Sequence, residues 1–197
     1  MNSFTPDIDA ELAEAVRAYR DGGQTAELLA RLESVAARAS PEHLIEAAEP
    51  YRQIPEVAGP LYERIVAERP DDARALVILG NAYWLAGRGP DVVGELADRA
   101  IAADPSHRGA WHLWALSEPV ARARLARWRQ VVARFPEDEL AHAVMADNAA
   151  SLAGGEGDRE ALSLAIETYE ALLARAAVPA QRDALEAALR TLREWRL

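Results

Sequence analysis

The chain of 197 residues contains no cysteine and no lysine. Without cysteine it can form no disulfide, no thiolate nucleophile and no cysteine-bound metal site. Without lysine it cannot carry a phosphate-binding loop that ends in that residue. All 22 basic residues are therefore arginine, a usage that indicates the codon bias of a GC-rich genome.

Long apolar runs are also missing. No stretch of about 18 apolar residues occurs, as a membrane helix would need. The N-terminal segment MNSFTPDIDAELAEA has neither the basic start nor the apolar centre of a signal peptide. The formal charge of −10, from 22 basic and 32 acidic residues, argues against nucleic-acid binding by bulk electrostatics. Together these features predict a cytoplasmic protein that binds neither nucleic acid nor membrane.

Few side chains could carry out catalysis. The four histidines are His43, His107, His112 and His142. His107 and His112 are five residues apart and so do not share a helical face as a zinc pair would. We expect His142 to be a core histidine, and the glycine-rich segment 154–157 to be a linker because it follows a helix. The sequence therefore predicts no enzymatic activity, no metal and no cofactor.

What the chain does contain is a helical pattern, seen most clearly between Ala73 and His107. The first half places Leu76, Leu79, Gly80 and Tyr83 on one helical face. Glycines and Pro90 then break that helix, and a second periodic run ends at Asp104-Pro105. The order of large, small and aromatic positions resembles a tetratricopeptide repeat (TPR), whose period is about 34 residues.

Variations of this unit recur from Asp9 onwards, and no segment shows a strand pattern. We predict repeats at residues 9–42, 43–72, 73–107, 108–138 and 139–178, followed by a capping helix at 180–196. The resemblance implies an all-α fold, a right-handed superhelix of about five TPR-like helix–turn–helix repeats in a single domain.

Several residues give local predictions. Thr25 is expected to cap the second helix. In the second repeat three prolines crowd the turn, so its second helix is expected to begin near Pro60. Pro119 should end or kink a helix early, and the segment 154–157 should be the most flexible part of the chain. Asp158 should cap the helix that follows.

In TPR proteins the first helices of successive repeats line a concave groove, which typically grips a peptide or a partner's helix. Helical offsets applied to this chain predict a peptide-binding groove formed by Arg17, Arg20, Arg52, Arg74, Val77, Asn81, Trp84 and His112. Because arginine binds carboxylates bidentately, the expected ligand is an acidic or C-terminal segment of a protein partner. The stripe resembles the carboxylate clamp of chaperone-binding members, although Val77 stands where a basic residue is expected.

Other interpretations of these side chains stay open. The arginines can instead form ordinary surface ion pairs with Glu14, Glu49 and Glu56. Trp84 can pack on Trp111 instead of anchoring a ligand. The arginine-rich run at 121–134 could attract an anionic partner, but the acidic residues 137–139 follow it directly.

The resemblance favours a non-enzymatic scaffold or adaptor that binds a protein or peptide. Two alternatives remain. The stretch GELADRAIAADPSHRGAWHLWALSE is similar to TPR proteins that hold apocytochrome during c-type cytochrome maturation, which are normally membrane-anchored or periplasmic. The array could also be a self-associating structural module, a homo-oligomer formed through Trp195 and Leu197.

Overall fold

The structure, a computed structural model, describes residues 7–196. Within that range the chain forms α-helices, one 3-10 turn and no strand. The predicted all-α fold is therefore confirmed. The helices are α1 Ile8–Arg20, α2 Thr25–Arg38, α3 Pro41–Ala48, α4 Pro55–Glu68, α5 Ala73–Leu85, α6 Pro90–Ala103, α7 Arg108–Leu116, α8 Ala121–Arg134, α9 Glu139–Glu156, α10 Arg159–Arg175 and α11 Pro179–Glu194, with the 3-10 turn at Glu49–Tyr51.

The helices pack into two compact units, one ending at Leu113 and the other beginning at Trp114. In the first unit α1 packs on α2, α3 on α4, and α5 on both α4 and α6. In the second unit α9 lies between α8 and α10, and α11 packs on α10. The division into five repeats within a single domain stays a prediction.

A glycine allows the close packing of α5 against α7 in the first unit. Gly80 is buried, and a Cβ atom added to it would lie only 2.2 Å from Cδ2 of Leu113. Leu113 is itself 1% exposed, so it cannot move aside into solvent. Glycine is thus required at position 80, because Leu113 on the neighbouring helix occupies the space that a side chain would fill.

Two arginines of the arginine-rich helix α8 have partners within the second unit. Arg127 donates from Nη1 to the Trp114 carbonyl oxygen at 2.7 Å and lies over the Trp114 ring, 4.6 Å from its centroid. Its Nη2 pairs with Glu118 at 2.9 Å. Arg122 pairs with Glu156 and Asp158. These partners, rather than the acidic segment 137–139, neutralise Arg122 and Arg127.

Three local predictions are wrong. Thr25 is the first residue of α2 and not its cap; the N-cap is Gln24, whose side chain makes no capping bond. Helix α4 begins at Pro55 instead of near Pro60, because Pro55 fits the first turn and Pro60 removes only one helical donor. The segment 154–157 is not a linker, because helix α9 continues through Gly154 and ends at Glu156. A Cβ atom added to Gly154 would lie 3.0 Å from Cη2 of Trp195.

Other local predictions are confirmed. Helix α7 ends at Leu116, before Pro119. Asp158 caps α10 by accepting a hydrogen bond from the backbone N–H of Ala161 at 3.0 Å.

Trp195 is half-buried beside Gly154, while Leu197, the other residue of the predicted self-association surface, lies outside the described residues.

Candidate ligand-binding surface

All eight residues of the predicted groove belong to the first unit, and we call them the arginine set. They are Arg17 and Arg20 on α1, Arg52 after the 3-10 turn, Arg74, Val77, Asn81 and Trp84 on α5, and His112 on α7. Arg17, Arg20, Arg52, Arg74 and Asn81 are exposed, Trp84 is 38% exposed, and His112 is half-buried.

Val77 does not have the exposure that the helical offset predicts. It is 7% exposed, and a Cβ atom added to Gly109 on α7 would lie 3.2 Å from Cγ1 of Val77. Helix α7 therefore covers this position of α5, and Val77 belongs to the core instead of an open surface. His112, on the same covering helix, is half-buried.

Two members of the arginine set converge on one carboxylate. Arg52 donates from Nη1 to Oε1 of Glu49 at 2.5 Å, and Arg74 donates from Nη2 to Oε2 of the same residue at 2.8 Å. Each carboxylate oxygen thus receives one guanidinium, an arrangement of charge-assisted hydrogen bonds. We call these three residues the Glu49 clamp. The predicted pairing of groove arginines with Glu49 is confirmed.

The two arginines of α1 are not part of the Glu49 clamp. Arg17 pairs with Glu14 on its own helix. The side chain of Arg20, at the end of the helix, makes no hydrogen bond or ion pair with any residue between 7 and 196. Glu56, the third carboxylate expected to pair with an arginine, likewise has no such partner in this part of the chain. The structure therefore joins Arg52 and Arg74 and leaves Arg17 and Arg20 apart from them.

Tyr62 on α4 adds a buried polar group close in charge terms to the Glu49 clamp. Its side chain is 1% exposed, and its hydroxyl has no hydrogen-bond partner among the described residues. Burial raises the pKa of Tyr62, the charge of Glu49 raises this pKa further, and Arg74 and Arg52 lower it. The hydroxyl thus lies within electrostatic reach of the Glu49 clamp. Helical periodicity places Tyr62 inside but contains no signal that its hydroxyl lacks a partner.

We expect Tyr62→Phe to leave the free energy of unfolding unchanged or to raise it by up to about 1 kcal/mol. An unpaired buried hydroxyl carries a desolvation cost of about 1–3 kcal/mol that the phenylalanine lacks. Tyr62→Ala, by contrast, should cost about 3–5 kcal/mol because it opens a cavity. Urea denaturation of the three proteins measures both effects. A loss of more than about 1 kcal/mol in Tyr62→Phe would mean that the hydroxyl has a partner.

The described residues form no group of three metal-ligating side chains, and none of their helices combines the length and apolar character of a membrane span. His142 is half-buried, with Nε2 lying 3.0 Å from the carbonyl oxygen of Pro136. His142, predicted to be a core residue, is therefore only partly buried.

Comparison with known proteins identifies the fold. No family model matches the chain, and no curated protein matches it. Solved structures do match. TTC0263, a thermophilic TPR protein in Thermus thermophilus, is 16% identical with a TM-score of 0.59, over 95% of this chain and 100% of that one. This chain has a TPR-like helical repeat fold.

Two structures of MamA share this TPR-like fold. One is 17% identical with a TM-score of 0.58, over 79% of this chain and 92% of that one. The other, MamA 41-end from Desulfovibrio magneticus RS-1, is 16% identical with a TM-score of 0.56, over 84% and 95%. The resemblance inferred from Leu76, Leu79, Gly80 and Tyr83 is thus confirmed at the level of the fold, and identities this low extend no further.

Proposed function

We propose that this chain is a non-enzymatic scaffold of the bacterial cytoplasm that binds a protein partner through an acidic or C-terminal segment at the Glu49 clamp and the neighbouring residues of the arginine set on α5, without Arg17 and Arg20. The observation that supports this most strongly is the Glu49 clamp, in which Arg52 and Arg74 bind both oxygens of a single carboxylate. A partner's carboxylate presents the same two oxygens, so the two guanidinium groups are already placed to receive it.

The Glu49 carboxylate stands where the ligand's carboxylate would bind, and it can be displaced. The side chains of Arg52 and Arg74 are 48% and 59% exposed, and that of Glu49 is 39% exposed. Ion pairs at such exposure contribute only about 0–1 kcal/mol each. A ligand that makes further contacts on α5 can therefore compete with Glu49 for the two guanidinium groups.

Helix α5 supplies further contacts for a peptide bound at Arg74. Asn81 is exposed and can form hydrogen bonds with a peptide backbone. Trp84, 38% exposed, is the kind of amphipathic side chain that dominates binding energy at interfaces. Val77 is buried in the core beneath this surface and does not contact the ligand. The alternatives of apocytochrome holding and self-association stay predictions.

We expect Glu49→Gln to bind an acidic probe more tightly than the wild type, by about tenfold, equivalent to about 1.4 kcal/mol. The probe is a labelled synthetic peptide of glutamate and glycine with a free C-terminal carboxylate, and its affinity is measured by fluorescence anisotropy. The substitution keeps the shape of the side chain but removes the charge that competes for Arg52 and Arg74.

Glu14→Gln is the matched control for this experiment. It removes the same charge, but from a carboxylate that pairs with Arg17 and lies outside the Glu49 clamp. Its affinity for the acidic probe should stay within about twofold of the wild type, since exposed charges act mainly through screened long-range fields. Equal gains in Glu49→Gln and Glu14→Gln would count against the clamp, because net charge alone would then explain both.

A further inference from the structure

A second surface of the first unit shares no residue with the arginine set. A cavity of about 780 Å³ lies between α2, α4 and the end of α5. A volume of about 300–1,000 Å³ is typical of binding pockets in proteins. Its apolar walls include Leu29, Ala36, Pro60 and Ala86. The cavity is therefore large enough for side chains of a ligand and apolar enough to bury them.

The part of α4 that faces this cavity lacks side-chain volume. Gly59 is buried, yet a Cβ atom added to it would meet no atom within 4 Å. Pro60 follows it inside the helix. In helix interiors glycine costs about 1 kcal/mol and proline about 3 kcal/mol relative to alanine. Helix α4 thus keeps two unfavourable residues beside the cavity, where Gly59 leaves space and Pro60 forms part of the wall, and such departures from local preference are expected mainly at functional sites.

A second cavity adjoins the first. It has a volume of about 470 Å³, is formed by α4, α5 and α6, and shares Glu63 and Tyr83 with the first. The Tyr83 hydroxyl donates to Oε1 of Glu63 at 2.7 Å, which fixes the wall between the cavities. Each cavity has one large exposed apolar residue, Leu29 at 42% and Val92 at 43%. We call the two cavities together the α4 groove.

Unpaired carboxylates surround the α4 groove. Glu33 on α2, Glu56 on α4 and Glu95 on α6 line it, and none of the three has a hydrogen-bond or ion-pair partner within residues 7–196. Three arginines also line the groove: Arg64 pairs with Glu68, while Arg99, on the Pro70 carbonyl oxygen, and Arg88, over the Tyr83 ring, keep their positive charge. Together with Glu63, four carboxylates line the groove and Glu68 compensates Arg64, so the net charge at the groove is negative.

We propose that the α4 groove is a second binding site, which takes an amphipathic peptide segment whose apolar side chains enter the two cavities and whose basic side chains pair with Glu33, Glu56 and Glu95. Its charge preference is the opposite of that proposed for the arginine set. With both sites occupied, one chain would hold an acidic and a basic segment at the same time.

Gly59→Leu tests the site without changing any charge. The probe is a labelled synthetic amphipathic peptide of leucine and lysine, compared with the same peptide carrying glutamate in place of lysine. The wild type should bind the lysine peptide, and Gly59→Leu should bind it at least about tenfold more weakly because leucine fills the first cavity. Since leucine also favours the helix, the melting temperature of this variant should not fall.

Gly155→Leu is the control, because Gly155 is also helical and its added Cβ atom also meets no atom within 4 Å, but it belongs to the second unit and lines neither cavity. It should bind the lysine peptide like the wild type. Leu29→Asn and Val92→Asn change one exposed residue in each cavity and should also weaken binding, so the test does not depend on Gly59→Leu folding.

The outcomes separate this proposal from the arginine set. Binding of the glutamate–glycine acidic probe should be the same in the wild type and Gly59→Leu. Equal affinity of the lysine peptide for the wild type, Gly59→Leu and the two asparagine variants would overturn the α4 groove as a site. Equal binding of the lysine and glutamate peptides would overturn the role of Glu33, Glu56 and Glu95.

Discussion

Gly80→Val is expected to destabilise the first unit by about 2–3 kcal/mol, within the range measured for overpacked cores. The Cβ atom alone would lie 2.2 Å from Cδ2 of Leu113, and valine adds two methyl groups beyond it. Because Leu113 is 1% exposed, relief requires α5 and α7 to move apart. The gain in helix propensity over glycine, about 0.5 kcal/mol, is too small to offset this clash.

Urea denaturation measures the effect, with Gly155→Val as the control in an open helical position. A second substitution tests the cause. Leu113→Ala alone should cost about 2–5 kcal/mol as a cavity. In the double variant the valine occupies part of that cavity, so its loss should be smaller than the sum of the two single losses. Additive losses would mean that Gly80 and Leu113 do not share this space.

Charge reversal of the clamp should have the largest effect on binding. We expect Arg52→Glu/Arg74→Glu to weaken binding of the acidic probe by about a hundredfold or more. An exposed ion pair contributes up to about 1 kcal/mol, and each reversal also replaces that attraction with a repulsion of similar size, so the two reversals together reach the roughly 2.7 kcal/mol of a hundredfold loss. The free energy of unfolding should change by no more than about 1 kcal/mol for each exposed ion pair that is lost.

Arg17→Glu/Arg20→Glu is the matched control, since it makes the same change in net charge on α1, outside the Glu49 clamp. Its loss of affinity should be at least about tenfold smaller, a difference of about 1.4 kcal/mol. Equal losses in the two variants would show that the probe responds to bulk charge. No loss in Arg52→Glu/Arg74→Glu would contradict the proposed function.

The fold could be predicted from the sequence because its signal is local and repeated. The period of Leu76, Leu79, Gly80 and Tyr83 marks the face that packs inside α5. The same argument fails for Val77, because α5 is covered by α7 as well as by α4 and α6. A helix buried on several sides loses the simple division into one inner and one outer stripe.

The predictions made from helix-breaking residues are wrong at Pro60 and Gly154, where the helix continues through the residue. Helix α4 continues through Pro60 because a proline removes one donor and Pro55 already begins the helix favourably. Helix α9 continues through Gly154 because the missing side chain leaves space for Trp195. Local propensity carries too little energy to outweigh such contacts.

The candidate sites could be predicted only in part. The sequence pattern places Arg52 and Arg74 in successive repeats, but their shared contact with Glu49 depends on how those segments pack in the fold. The unpaired hydroxyl of Tyr62, found among the described residues, depends on contacts between distant segments. The α4 groove depends on atoms that Gly59 lacks, and no residue pattern reveals a space between helices.

The most direct test of the central claim is an NMR titration that follows the side-chain Nε–Hε signals of the arginines as the acidic probe is added. The account predicts that the signals of Arg52 and Arg74 shift together and saturate with the binding curve. The signal of Arg127, held by Glu118 and the Trp114 carbonyl oxygen, should not move. Binding that leaves Arg52 and Arg74 unshifted while other arginines respond would contradict the account.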